Sequence, residues 1–245
     1  RQMCIRDSFI NDYLDFVRGN DDETRLGPRR ACAQGWILPA TMRVGIGLTT
    51  LLACLVGLPL IYYGGMEMLL VGAVCVVFCF LYTTHLSYLG MGDILVLIFF
   101  GIIPVCVTYY LAVPSYAAHI TWQVFLSSIA CGLVIDTLLI VNNYRDIEND
   151  RRVHKMAMVV MMGASLSRTT YLMLGWVACM IGLVFLFHGH VWAFVLPLFY
   201  ALLHTLTYRR MCRIRQGKAL NLILGETARN IFIYGILLTV GLMIS

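Results

Sequence analysis

Charged residues are scarce in this sequence. Asp, Glu, Lys and Arg make up 13% of its 245 residues, whereas 60% are hydrophobic, and the mean hydropathy is +0.81. A soluble domain carries about 25% charged residues, so the composition excludes an ordinary soluble protein and indicates a multi-pass membrane protein. The net charge of +5 does not indicate nucleic-acid binding. The basic residues lie between apolar segments, where membrane proteins carry them on the cytoplasmic side.

The sequence also lacks the paired cysteine spacing of a disulfide framework. Its nine Cys residues are scattered and lie mostly inside apolar segments. Cys75 and Cys79 are spaced for one face of a helix rather than for a zinc site. We therefore expect the cysteines to be small buried hydrophobic residues.

The beginning of the sequence has neither signal-peptide nor membrane character. It opens with Arg1, and residues 1–8 are RQMCIRDS. We expect one membrane-embedded domain over residues 1–245 that is incomplete at its N-terminus. Whether residues 1–8 belong to the natural protein stays open.

Seven apolar segments follow a polar N-terminal region. Each is close to the roughly 17–25 residues that a membrane-spanning helix needs, and together they predict an all-α transmembrane bundle. The segments are 40–62, 67–84, 93–112, 122–143, 169–187, 190–208 and 220–244. Pro104 and Pro197 lie within segments and should interrupt their helices.

The segment Asn142–Lys155 carries the densest cluster of polar groups, directly after an apolar segment. It reads NNYRDIENDRRVHK, with Asn142, Asp146 and Asp150 four residues apart. On a helix this spacing forms one stripe with steps of about 6 Å. Amide and carboxylate oxygens suit a hard cation such as Mg²⁺. The surrounding basic residues indicate that an anion binds with the metal: Arg145, Arg151, Arg152 and Lys155.

A second copy of this pattern occurs near the N-terminus. Asn11 and Asp15 repeat the four-residue spacing, and the acidic triplet 21–23 follows them. A single Asp-x-x-x-Asp is common in charged cytoplasmic loops. Two copies of an unusual pattern argue against that interpretation and favour one shared binding site.

The distribution of basic residues predicts the orientation. Four predicted spans separate the two acidic segments, so both lie on the same side of the membrane. The connections 63–66, 113–121 and 188–189 on the opposite side contain no Lys or Arg. The side with the acidic segments is therefore predicted to be cytoplasmic.

Other polar residues fall inside or beside the predicted spans. Tyr88 and Asp93 lie in the connection on the cytoplasmic side and are candidates for lining the same cavity. Asp136 lies about 15 Å deeper than Asp146, without a basic partner at that depth, and we expect a protonated or hydrogen-bonded structural residue. Glu226 and Arg229 are spaced to pair with each other.

These segments carry a resemblance to a known family. The sequences NDYLDFVRGND, RLGPRR, YLGMGD and NNYRDIENDRRVHK resemble the motifs of UbiA-superfamily membrane prenyltransferases. They are most similar to the 1,4-dihydroxy-2-naphthoate polyprenyltransferases of menaquinone synthesis. The resemblance implies nine helices around a central cavity, of which this chain would hold seven. We then expect a side opening next to Phe9–Tyr13 and little activity from these residues alone.

The resemblance also implies roles for individual residues. Magnesium ligands would be Asp15, Asp21, Asp146 and Asp150. The diphosphate would be bound by Asn11, Asn142, Asn143, Arg25, Arg30, Arg145 and Lys155. Catalytic residues would be Asp15, Asp146 and Asp150, with Tyr88 and Asp93 acting on the aromatic acceptor.

The implied reaction is Mg²⁺-dependent transfer of a polyprenyl group from polyprenyl diphosphate to 1,4-dihydroxy-2-naphthoate. It proceeds with decarboxylation and gives demethylmenaquinone. The expected location is the inner (cytoplasmic) membrane, with the lipid bilayer around the protein and the site facing the cytoplasm. The alternatives are another aromatic acceptor such as 4-hydroxybenzoate, a CDP-alcohol phosphotransferase and a cation-coupled transporter.

The chain departs from the family after the second acidic motif. The family often has Gly-Lys-x-Thr there, whereas this sequence has His154, Lys155, Met156 and Ala157. Met161 stands where an Arg is common. Any role of the replaced Thr and Arg is therefore lost or moved in this protein.

Overall fold

The computed structural model describes residues 2–19, 26–27, 30–86, 88–113 and 119–244, without the side chains of 2–8, 18 and 83. Regular structure within these ranges is entirely helical, which confirms the predicted fold class. Two segments are π-helical: Tyr82–Leu86 extends the fourth α-helix, and Leu97–Ile102 joins the fifth to the sixth. The α-helices are α1 (Gln2–Arg18), α2 (Pro39–Gly57), α3 (Pro59–Gly64), α4 (Glu67–Leu81), α5 (Gly92–Val96), α6 (Ile103–Ala112), α7 (Trp122–Arg145), α8 (Ile147–Arg152), α9 (Met158–Ile181), α10 (Leu183–Leu186), α11 (Val191–Val195), α12 (Pro197–Ile214) and α13 (Leu220–Met243).

Among the described residues, seven helical stretches are long and apolar enough to cross a membrane, as predicted. Spans of this number and length are typical of a multi-pass membrane protein. The spans are Pro39–Gly64, Glu67–Leu86, Gly92–Ala112, Trp122–Arg145, Met158–Leu186, Val191–Ile214 and Leu220–Met243.

The fifth span begins eleven residues before the predicted start at 169. The hydropathy of its first turns is low because they contain Ser165, Ser167 and Arg168, so the sequence pattern did not include them in the span. Ser167 donates its hydroxyl to the backbone oxygen of Gly163 at 2.7 Å, so the helix itself accommodates this polar group. Gly163 has φ 77°, a left-handed conformation that interrupts the helix and that glycine adopts without strain.

Prolines interrupt the third and sixth spans where the sequence predicted. Pro104 follows the π-helical segment Leu97–Ile102 and sits in the first turn of α6. Pro197 begins α12, separated from α11 by Leu196. Proline is tolerated there because the first residues of a helix have no backbone acceptor to lose.

Helix α7 is the centre of the bundle. Its middle residues pack with α9, α12 and α13 in one buried apolar cluster that includes Val134, Tyr200 and Tyr234. Nearer the polar end, Ile140 and Val141 pack in a second cluster with Tyr171 and Met211. These clusters fix α7, which carries the second acidic motif at its C-terminal end.

The first two spans lie at the edge of the bundle. Leu51, Leu52 and Leu55 are each more than half exposed, as expected for side chains that face lipid. Helix α1 packs against this part of the molecule through a small cluster with Ile10 and Met42.

Glu226 pairs differently from the sequence prediction. Its carboxylate accepts hydrogen bonds from Arg210 and, at 3.3 Å, from the Thr207 hydroxyl. Arg229 donates to the neighbouring Asn230 at 3.4 Å instead. The predicted Glu226–Arg229 pair is wrong because α12 packs beside α13 and offers Glu226 a partner that a single-helix pattern cannot show.

Candidate active site

A polar cavity lies where α1, the end of α7, α8 and the connection after α4 meet. The space amounts to about 750 Å³ when the part open to solvent is included. Nine of the residues predicted for the site line this one cavity, although they come from distant parts of the sequence. They are Asn11, Asp15, Arg30, Tyr88, Asn142, Asn143, Asp146, Asp150 and Lys155.

Helix α1 presents the first acidic motif to the cavity. Asn11 and Asp15 lie one turn apart on its cavity-facing side, and Arg30 pairs with Asp15 at 3.1 Å. Asp12 is buried and accepts hydrogen bonds from the backbone N–H groups of Ala31 and Cys32 at 2.8 and 3.0 Å. Because Asp12 holds the turn that follows Arg30, the first motif and its arginine are fixed together.

The Arg145 side chain holds the polar groups of the second motif in place through hydrogen bonds. Its guanidinium donates to Asn142 at 3.0 Å, to Asp146 at 2.8 Å and to Asn221 of α13 at 2.8 Å. The Arg145 side chain is only 4% exposed, and it is not among the residues that line the cavity. Arg145 thus orients the oxygens of Asn142 and Asp146 and neutralises the Asp146 carboxylate.

Asp150 and Lys155 close the turn after α8. The Lys155 ammonium lies 3.1 Å from the Asp150 carboxylate, and the Lys155 backbone N–H donates to the Asp150 carbonyl at 2.9 Å. Burial raises the pKa of Asp150, and the charges of Asp146 and Asp15 add to this effect, while Lys155 opposes it. Three carboxylates therefore lie near enough to influence one another at this cavity.

The connection that carries Tyr88 leads into α5, where Asp93 lies in the first turn, and it is joined to the turn after α8. The Met156 N–H donates to the Tyr88 carbonyl at 3.1 Å. Tyr88 lines the large cavity, while Asp93 lines a narrow pocket beside it. Asn143 and Lys155 line both cavities, so the two are adjacent.

The carboxylates are not gathered into a metal cage formed by the protein alone. No group of three His, Cys, Asp or Glu side chains among the described residues lies close enough to hold a metal ion. Magnesium usually keeps several waters and uses one or two carboxylates together with substrate phosphates. The donor set of Asp15, Asp146 and Asp150 around an open cavity fits that mode.

Two predicted site residues, Asp21 and Arg25, lie outside the described residues. Sequence reasoning also missed several residues that line the large cavity: Tyr82, Leu139, Asn149 and Val153. Asn149 stands within the second motif, so its position could have been noticed. Asn221 gave no signal, because its contact with Arg145 joins residues 76 apart in the sequence.

Comparisons with known proteins identify the family of this chain. The model of the UbiA prenyltransferase family matches residues 8–241. The 1,4-dihydroxy-2-naphthoate octaprenyltransferase of Haemophilus influenzae is 34% identical over 75% of this chain and 61% of its own length. The Escherichia coli protein of the same name is 30% identical over 99% of this chain and 81% of its own length. The chain spans less than two thirds of the first of these relatives and about four fifths of the second.

A solved structure shows the same fold. It is described as giving insights into the biosynthesis of digeranylgeranylglyceryl phosphate synthase in membranes, and it matches 98% of this chain and 81% of its own chain. The TM-score is 0.60 at 16% sequence identity, which supports the fold alone. The resemblance predicted from the motifs is confirmed, and the chain belongs to the UbiA prenyltransferase family.

Proposed function

We propose that this protein transfers a polyprenyl group from polyprenyl diphosphate to 1,4-dihydroxy-2-naphthoate, with Mg²⁺ as cofactor and loss of CO₂. The observation that carries the proposal is the convergence of both acidic motifs on one cavity that is also lined by Arg30 and Lys155. Relatives named for this reaction cover most of the chain and support the choice of acceptor.

The charges around the cavity match a metal-bound diphosphate. Each carboxylate has a cationic partner, in the pairs Asp15–Arg30, Asp146–Arg145 and Asp150–Lys155. A diphosphate and its metal ions bring charges of both signs, so they can replace the partners in the Asp15–Arg30 and Asp150–Lys155 pairs without leaving a buried charge unpaired, while Arg145 stays on Asp146. Arg30 and Lys155 would then pair with phosphate oxygens.

Asp15, Asp146 and Asp150 would hold Mg²⁺ together with the diphosphate, and the resemblance adds Asp21. The bound metal neutralises charge that develops on the leaving diphosphate. Arg30 and Lys155 stabilise the same charge from the protein side, and Arg145 keeps the Asp146 carboxylate aimed at the cavity. The allylic carbon that loses the diphosphate is then attacked by the electron-rich ring of the acceptor.

Leu139 brings an apolar side chain to the cavity from the middle of the bundle. Leu139 lines the cavity one turn before Asn142 and Asn143, on the part of α7 that lies between the neighbouring helices. The first isoprene units of the donor would lie against Leu139, because the polar residues that line the rest of the cavity suit the diphosphate instead. We place the cavity on the cytoplasmic side of the inner membrane, where the basic residues lie.

A direct assay separates the possible acceptors. Membranes from cells expressing the full-length protein are incubated with radiolabelled polyprenyl diphosphate, Mg²⁺ and either 1,4-dihydroxy-2-naphthoate or 4-hydroxybenzoate. We expect a labelled lipid-soluble product with the naphthoate only, its loss with EDTA and its return with added Mg²⁺. A product from 4-hydroxybenzoate alone would replace the acceptor, and no transfer to either would contradict the proposal. Membranes from cells without the gene are the control.

A further inference from the structure

The end of α12 and the connection to α13 carry positive charge that neighbouring acids do not balance. Five basic residues stand in the ten positions 209–218, and no Asp or Glu occurs between Asp150 and Glu226. Arg210 pairs with Glu226 of α13. The other four are exposed, and no carboxylate among the described residues pairs with them: Arg209, Arg213, Arg215 and Lys218. We call these four residues the basic edge.

The basic edge lies at the same end of the bundle as the large cavity. Asn221, in the first turn of α13, accepts a hydrogen bond from Arg145 at 2.8 Å and donates one to the Leu26 carbonyl at 3.1 Å. The cations that line the cavity are paired with carboxylates of the protein, Arg30 with Asp15 and Lys155 with Asp150. The counter-charges of the basic edge come from outside the protein instead.

The basic edge continues an exposed face of α12. Phe199, Leu202 and Leu206 are 54%, 55% and 44% exposed, and Arg209 and Arg213 follow them at intervals of three and four residues. With 3.6 residues per turn, these five positions lie on one face of the helix. The opposite face packs in the two buried apolar clusters described above. The exposed face therefore runs from apolar side chains, which suit lipid tails, directly into two arginines.

Their position along the helix places these arginines at the depth of lipid headgroups. The sixth span begins at Val191, and Trp192 beside it is 49% exposed. Tryptophan is enriched at the boundary between membrane and water. Residues 191–211 rise about 30 Å along a helix, which is the thickness of the hydrocarbon core. Arg209 and Arg213 flank that limit, and their long side chains reach the headgroup layer.

We propose that the basic edge binds the headgroups of anionic phospholipids, whose acyl chains lie along the exposed apolar face of α12. Arginine suits this ligand because its guanidinium donates several N–H groups to phosphate oxygens. Runs of basic residues next to a membrane helix attract anionic lipids, and each cation strengthens the attraction roughly fivefold. The inference is independent of the proposed reaction, because the basic edge lines neither the cavity nor the pocket beside it.

The test compares two lipids that differ only in the headgroup. Purified full-length protein in detergent is titrated with phosphatidylglycerol or with phosphatidylcholine of the same acyl chains, and native mass spectrometry measures the Kd of the first bound lipid. We expect a Kd for phosphatidylglycerol about fivefold lower or more. Equal Kd values would overturn the inference. Displacement of bound phosphatidylglycerol by inorganic phosphate would show a site for free anions and would also overturn it.

Two double variants then locate the preference. In Arg209→Gln/Arg213→Gln the ratio of the two Kd values should fall to about twofold or less. Arg151→Gln/Arg152→Gln is the matched control, because it removes the same charge from exposed positions of α8, where Glu148 pairs with Arg151 at 3.4 Å. Size-exclusion chromatography checks that both variants are folded. An undiminished preference in the first variant, or an equal loss in the control, would overturn the inference.

Discussion

The Asp150 carboxylate lies 3.1 Å from the Lys155 ammonium, across the turn that follows α8. The same relationship recurs at Asp15 with Arg30. Without substrate, each acidic group of the cavity is neutralised by a cation of the protein. The proposed donor complex would exchange these partners, with the metal taking the carboxylates and the diphosphate taking the cations.

Lys155 should therefore contribute to donor binding in two ways, as a partner of the diphosphate and as the cation that pairs with Asp150. Lys155→Met removes a phosphate partner and leaves Asp150 buried without its cation. We expect the KM for polyprenyl diphosphate to rise at least about tenfold, equivalent to about 1.4 kcal/mol. Lys218→Met is the control, because Lys218 is exposed on the same side of the bundle and lines neither cavity described here. Equal donor KM values for the two variants would contradict this role.

Asp146 should be essential for turnover but not for folding. Asp146→Asn removes one carboxylate charge with little change in shape, and Arg145 keeps its bonds to Asn142 and Asn221. We expect kcat to fall at least about a hundredfold, the effect of removing one preorganised electrostatic group. Glu148→Gln, on an exposed residue of α8, should retain activity. Expression and elution on size-exclusion chromatography check folding, and an active Asp146→Asn would remove Asp146 from the site.

The close approach of Gly101 and Gly132 should be needed for stability. A Cβ on Gly101 would lie 2.5 Å from the Gly132 Cα and 2.7 Å from the Ser128 carbonyl, and both are backbone atoms. Gly101→Ala should therefore destabilise the protein by about 1–3 kcal/mol. Gly72→Ala meets nothing within 4 Å and should be neutral or stabilising. Thermal unfolding in detergent measures both, and equal Tm values would mean that the two helices separate easily.

His154 stands in a strained backbone conformation. Its φ is 55°, at the position where the family often has glycine. His154→Gly should raise the stability by about 1 kcal/mol, because a left-handed conformation costs roughly that much for a residue with a Cβ. His154→Val should lower it, since a β-branched side chain fits this conformation poorly. Tm measurements with the opposite order would show that the turn adopts another backbone conformation.

The sequence predicts the spans and the paired motifs because both depend on short-range pattern. Hydropathy located all seven spans, and four-residue spacing identified the stripe of Asn142, Asp146 and Asp150. Contacts between distant segments could not be predicted. The position of the Arg145 side chain depends on its hydrogen bond to Asn221 of α13. The pairing of Glu226 with Arg210 depends on how α12 and α13 pack.

The most direct test of the account follows the carboxyl group of the acceptor. Full-length protein in membranes is supplied with polyprenyl diphosphate, Mg²⁺ and 1,4-dihydroxy-2-naphthoate labelled with ¹⁴C in the carboxyl group. Labelled CO₂ and prenylated product are then counted over time. We expect CO₂ to be released in equal amount to prenyl transfer, and neither product to form when the donor is omitted or when Asp146→Asn replaces the wild type. Prenylated product that retains the label, or CO₂ released without prenyl diphosphate, would contradict this expectation.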